Sequence, residues 1–180
     1  MGQDDTKHNL LFISKYPQII HEFTDAMKDR DIEIETAING IEAAAKIKKK
    51  NYDIVITGLS LEGYNGEQII TYLNKTAPST VCIIYTTTIS SAQLHFFINE
   101  RNVFRVFLRP VDFRGAFWEA LEEAYEYHAV QVKNEEDTGA RRQEQEKQER
   151  EIEIMDQRMR SQRQARETTN RYMKRLVQDS

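Results

Sequence analysis

Short apolar runs alternate with helical patterns along most of the chain, and the rhythm changes only once. Residues 10–13 (LLFI) form a continuous apolar run of the length of a buried strand. Pro17 then opens a segment in which Ile20, Phe23 and Met27 recur at helical spacing, and proline suits a first helical turn. Residues 32–36 (IEIET) alternate with a period of two, which predicts a strand with one wetter face. Asn39 and Gly40 turn the chain into an alanine- and lysine-rich helix over 41–50. Residues 54–57 (IVIT) predict a third strand, and a loop over 58–65 follows it. A helix over 68–75 is stopped by Ala77-Pro78, and residues 81–85 give a fourth strand. Residues 91–100 predict a helix and 105–108 a fifth strand, after which Asp112 is the expected cap of a long final helix.

Five strand–helix units of this kind predict an α/β fold, a doubly wound five-stranded parallel sheet covered by helices on both faces. Near-continuous aliphatic strands are what burial on both faces requires. Ligands in such sheets gather at the carboxyl ends of the strands, which directs attention to the residues after Ile13, Thr57, Tyr85 and Leu108.

The change of rhythm comes at residues 134–139 (NEEDTG), a polar stretch ending in glycine. The expected organisation is a disordered N-terminus over 1–8, a globular domain over 9–132, a linker or helix stop over 133–139 and a helical tail over 140–180. Glu, Gln, Arg and Lys dominate the tail, with no proline or glycine in 140–177. Ile152, Met155, Met159, Gln162, Arg166, Thr169, Met173 and Leu176 fall at alternating steps of three and four, the seam of a coiled coil with a polar middle. A solitary helix with so thin a stripe frays in water, so pairing through the tail is expected, the globular domain alone staying mostly monomeric.

Charge and cysteine narrow the chemistry. A net charge of -4 on a chain with 30% charged residues gives no global basic field to attract nucleic acid. The tail is mostly acidic over 144–156 and basic over 158–175. A solvated or coiled-coil face accounts for the basic half better than contact with nucleic acid, since Tyr172 is its one aromatic. Cys82 is the single cysteine and lies within an apolar strand, which excludes a disulfide framework or a thiolate zinc site. His8, His21, His95 and His128 are scattered, without partners at metal-ligand spacing, so no metal and no cofactor are expected. The absence of a signal-peptide pattern and of a membrane-length apolar run predicts a soluble, cytoplasmic protein.

Three stretches, in the right order and spacing, carry a resemblance. Residues 52–66 (YDIVITGLSLEGYNG), 81–87 (VCIIYTT) and 98–110 (INERNVFRVFLRP) resemble the third, fourth and fifth strands of bacterial response-regulator receiver domains and the loops beside them. The last is closest to the subclass that precedes cyclic-dinucleotide phosphodiesterase or transcriptional outputs. The resemblance implies the flavodoxin-like receiver fold, a cis Pro110, and a place in two-component signalling. It also implies where the phosphorylation chemistry should lie. The metal-binding acidic pair falls on Ser14 and Lys15, the acceptor aspartate on Gly58, the hydroxyl on Thr86, the lysine on Arg109 and the switch aromatic on Val106. Magnesium demands hard oxygen ligands, and neither Ser14 nor Lys15 brings a carboxylate. Asp53 sits five residues before Gly58, about 16 Å back along the strand, and cannot stand in.

The expectation is therefore a pseudo-receiver: no enzyme, and a phosphorylation-independent module that binds a signalling protein and dimerises through its tail. The alternative is the input or dimerisation fragment of a larger regulator, whose enzymatic or DNA-binding output would follow the tail. No output domain is expected within these residues.

Overall fold

The computed structural model describes residues 7–178, with side chains as far as residue 175. Ten elements follow in the order β1(His8–Ile13), α1(Pro17–Met27), β2(Ile32–Ala37), α2(Gly40–Lys49), β3(Ile54–Thr57), α3(Gly66–Thr76), β4(Val81–Thr86), α4(Ser91–Glu100), β5(Val103–Leu108) and α5(Ala116–Gln178). The strands form one parallel sheet in the order β2-β1-β3-β4-β5. The order reverses between β1 and β3, so the crevice outside their carboxyl ends is the topological switch point of the fold.

Successive strand residues point to opposite faces, and the core divides accordingly. Leu10, Phe12, Ile54, Ile56, Ile83 and Tyr85 face α1 and α5, where Phe23, Met27, Phe117 and Leu121 close the layer. Leu11, Ile13, Val55, Cys82 and Ile84 face the other way, against Ala43, Ile47, Ile69, Leu73 and Phe97 of α2, α3 and α4. Local chemistry fixes the helix starts. Asn39 accepts the Glu42 N–H at 2.8 Å before α2. Asn65 with Gln68, and Ser90 with Gln93, form capping boxes before α3 and α4.

Several expectations need correcting. His8 is not part of an unstructured terminus: it opens β1, in register with Ile32. Lys7 of the expected disordered segment is also described, with its Nζ 3.6 Å from Asp31 Oδ1, and residues 1–6 lie outside the described residues. Asp112 does not cap the last helix, which begins at Ala116. Its carboxylate accepts the Arg114 N–H at 2.9 Å in the preceding turn. The stretch 133–139 does not stop the helix, because α5 runs through it as part of 63 helical residues, while the division between two compact units falls there, after Lys133. The Thr138 hydroxyl donates to the Asn134 carbonyl at 2.7 Å, and Gly139 is the only residue there with a large propensity cost.

The chain divides into two compact units, Met1–Lys133 and Asn134–Ser180, and the described residues of the second belong to the later part of α5. In that unit Ile152, Met155, Met159 and Met173 are exposed. The Leu176 side chain, the last position of the expected seam, lies outside the described side chains. Among the described residues no helix is long and apolar enough to cross a membrane.

Candidate functional site

The carboxyl ends of β1, β3, β4 and β5 enclose a cavity of about 80 Å³. Ser14, Lys15, Gly58, Thr86 and Arg109, which the sequence scatters over almost a hundred positions, all line it, with Tyr16, Ser60 and Tyr85 among the others. Backbone bonds from the sheet set their positions. Ser14 donates its N–H to Ala37 O at 3.0 Å, Gly58 to Ile13 O at 3.1 Å and Arg109 to Thr86 O at 2.8 Å. The Arg109–Pro110 bond is cis. Val106 is not among the residues lining the cavity and packs, partly buried, against the layer beneath α2, α3 and α4.

The electrostatics of the cavity are one-sided. Among the described residues, none of those lining it is acidic. The Arg109 guanidinium lies 4.6 Å from the Tyr16 ring centroid and 5.8 Å from that of Tyr85, while Lys15 Nζ lies 5.3 Å from the Tyr16 centroid. The hydrogen-bonding pull of Arg109, and then the charge of Lys15, hold the Tyr16 phenol below its ordinary range. Arg109 Nε is buried without a hydrogen-bond partner. The Ser14 hydroxyl accepts the Tyr16 N–H at 3.3 Å, and the Thr86 hydroxyl donates to Thr88 O at 3.3 Å. Glu62, in the loop after β3, forms no ion pair with Lys15; its backbone carbonyl accepts the Gly40 N–H at 2.9 Å. The donor set of two cations, hydroxyls and backbone does not fit magnesium, which is held by carboxylates and water. Elsewhere too, among the described residues, no group of three or more His, Cys, Asp or Glu is placed to hold a metal. Cys82 is buried, which pushes its thiol up to about 12 and disfavours the thiolate.

A family model for the response regulator receiver domain matches residues 11–115. The chain belongs to this family. A comparison with curated proteins returned no match. Solved structures share the fold at low identity. The signal receiver domain of an HD domain-containing protein from Pseudomonas fluorescens Pf-5 is 19% identical, with a TM-score of 0.65 over 69% of this chain and 98% of that one. An adenylate cyclase from Rhodopirellula baltica is 19% identical, with a TM-score of 0.66 over 72% of this chain and 96% of that one. A CheY-like receiver domain protein from Methanospirillum hungatei JF-1 is 18% identical, with a TM-score of 0.63 over 69% of this chain and 99% of that one. Each of these matches leaves more than a quarter of this chain uncovered.

At the opposite end of this receiver's sheet lies a cluster that sequence reasoning missed. Asp53, just before β3, accepts the Asn9 N–H at 3.1 Å. His8 Nδ1 lies 3.5 Å from one of its oxygens and His128 Nε2 lies 3.3 Å from the other. His128 Nδ1 faces the Ser79 carbonyl at 2.8 Å, and the His8 ring stacks on Tyr125 at 4.2 Å between centroids. Two of the four scattered histidines thus share one carboxylate, which ties α5 to the amino ends of β1 and β3. The only available signal was topological, since pairing β1 with β3 brings Asp53 beside Asn9.

Burial pushes the Asp53 carboxyl up, but hydrogen bonds from His128 and the Asn9 N–H, and the charge of His128, outweigh it and leave the group below its ordinary value. A carboxylate lowered on folding stabilises the native state fully above its unfolded pKa of about 4, and that stabilisation is lost as pH falls through the lower native value. In urea titrations from pH 6 down to pH 2.5, Asp53→Asn is expected to be less stable than the wild type above about pH 4, with the gap closing below it. A gap independent of pH would show that the ionised form contributes nothing.

Proposed function

We propose that this receiver is a phosphorylation-independent interaction module of bacterial signal transduction, with no enzymatic activity of its own. The observation that carries this is the cavity at the strand ends, where Gly58 occupies the acceptor position and no carboxylate faces it. Glycine there is not demanded by the backbone. A Cβ at position 58 would meet Leu61 Cδ2 and Tyr85 O at 3.8 Å and Ile13 O at 3.9 Å, all ordinary contacts. The missing side chain therefore removes chemistry and solves no packing problem. Lys15 adds a positive charge where a metal would sit, and Arg109 replaces a point charge by a planar fork already occupied with Tyr16.

With phosphoryl transfer gone, the surface and the tail carry the function: contact with a cytoplasmic signalling protein, and association of two copies through the tail. Incubation of the full chain with acetyl phosphate, with and without magnesium, tests this reading by intact mass. No adduct is expected in either case. A stoichiometric, magnesium-dependent phosphoryl adduct would overturn it.

A second reading is that these residues are the input and dimerisation part of a larger regulator. It is favoured by two fold neighbours, one named as the signal receiver domain of an HD domain-containing protein and one named as an adenylate cyclase.

A further inference from the structure

The second unit presents an apolar stripe that nothing in its own helix covers. Ile152, Met155 and Met159 are 61%, 63% and 64% exposed. The charges beside that stripe are also unused. Among the described residues, Glu149, Glu151, Arg158 and Arg163 form no ion pair, whereas Asp156 holds only an exposed contact of 3.6 Å with Arg160. An apolar seam flanked by unpaired charges calls for another helix, and the flanking charges dictate which way it runs.

In the heptad register, Ile152, Met159, Arg166 and Met173 occupy the first seam position, and Met155, Gln162 and Thr169 the second. A parallel, in-register pair would bring Glu144 against Glu149, Glu151 against Asp156 and Arg158 against Arg163, each of them twice. Every flanking contact in the charged segment would then be repulsive, and Arg166 would meet its own copy inside the seam. Turning one helix around removes all of these. With Met159 opposite Gln162 at the centre, Asp156 of each copy faces Arg163 of the other. Met155 then packs along the aliphatic stem of Arg166, and Glu151 faces Tyr172.

We infer that the tail is an antiparallel pairing surface for a second copy of this chain, set in register by Asp156 and Arg163. The inference rests on the proposed association of two tails and adds its direction; it is independent of the loss of phosphoryl transfer.

Sedimentation equilibrium of the full chain tests it with four proteins: wild type, Asp156→Arg, Arg163→Asp and the double reversal. Each single reversal turns two attractive contacts into two repulsive ones and is expected to raise the dimer dissociation constant about ten-fold. The double reversal restores both contacts and is expected to return to within a few-fold of wild type. In a parallel pair the signs invert, because Asp156→Arg would meet Glu151 and Arg163→Asp would meet Arg158, so tightening by either single variant overturns the antiparallel direction while leaving tail association standing. Single reversals without effect overturn the register. A wild-type chain that stays monomeric removes the association itself. All substituted positions are exposed on the helix, so the fold is unaffected and circular dichroism checks that directly.

Discussion

Phe117→Ala is expected to lower the free energy of unfolding by about 3–5 kcal/mol, the range for truncating a fully buried aromatic side chain. Phe117 is 0% exposed. Its ring centroid lies 4.6 Å from Phe107, 5.0 Å from Phe113 and 6.1 Å from both Phe23 and Tyr85. These rings come from α1, β4, β5 and the turn before α5, so the side chain is the point at which α5 is fastened to the sheet. The surrounding rings are held by their own strands and helices and cannot collapse into the space, which places the cost at the upper end for such changes. A urea titration checks this through a lower midpoint at unchanged slope. Trp118→Ala, at a partly buried neighbour, should cost clearly less, and equal effects at the two positions would refute the assignment of Phe117 as the anchor.

A second large effect is expected at Gly66. A Cβ there would run into the carbonyl oxygen of Gly58 and lie 3.0 Å from Leu59 Cα, while the Gly66 N–H donates to Leu59 O at 3.0 Å. Both obstacles are backbone, so no side chain can swing aside and the loop itself must shift. Gly66→Ala should cost at least the roughly 1–3 kcal/mol typical of overpacking. Because the obstructing carbonyl belongs to Gly58, the same shift distorts the cavity floor. Gly58→Ala is the contrast. Its Cβ meets only ordinary contacts, and a stiffer unfolded chain can offset any loss by about 0.4–1 kcal/mol. Side-by-side denaturant midpoints decide the matter, and a Gly58→Ala chain less stable than Gly66→Ala would contradict the geometry.

The fold was largely legible because its strands are buried on both faces. Residues 54–57 and 91–100 coincide with β3 and α4 to the residue. The errors have different causes. His8 is polar, yet it belongs to β1 because β2 lies alongside and Tyr125 offers a ring to stack on. The stretch 133–139 contains weak helix formers, but no proline interrupts it and helices on either side propagate into it. The cavity residues were legible through the resemblance to receiver domains, which set Ser14, Lys15, Gly58, Thr86 and Arg109 at the strand ends that the fold brings together. The Asp53 cluster was not, since His8, Asp53 and His128 meet only after the sheet has closed.

Trp118 is the sole tryptophan of the sequence, and the Arg30 guanidinium lies 4.1 Å from the centre of its ring. Its fluorescence is thus the emission of one position, where α5 meets the turn between α1 and β2. A cation over an indole face lasts only while the turn between α1 and β2 stays against α5, so the colour of that emission follows the receiver, and the residues after 133 contain no tryptophan. The protein carries its own optical probe, which reports loosening of the receiver without any label being attached.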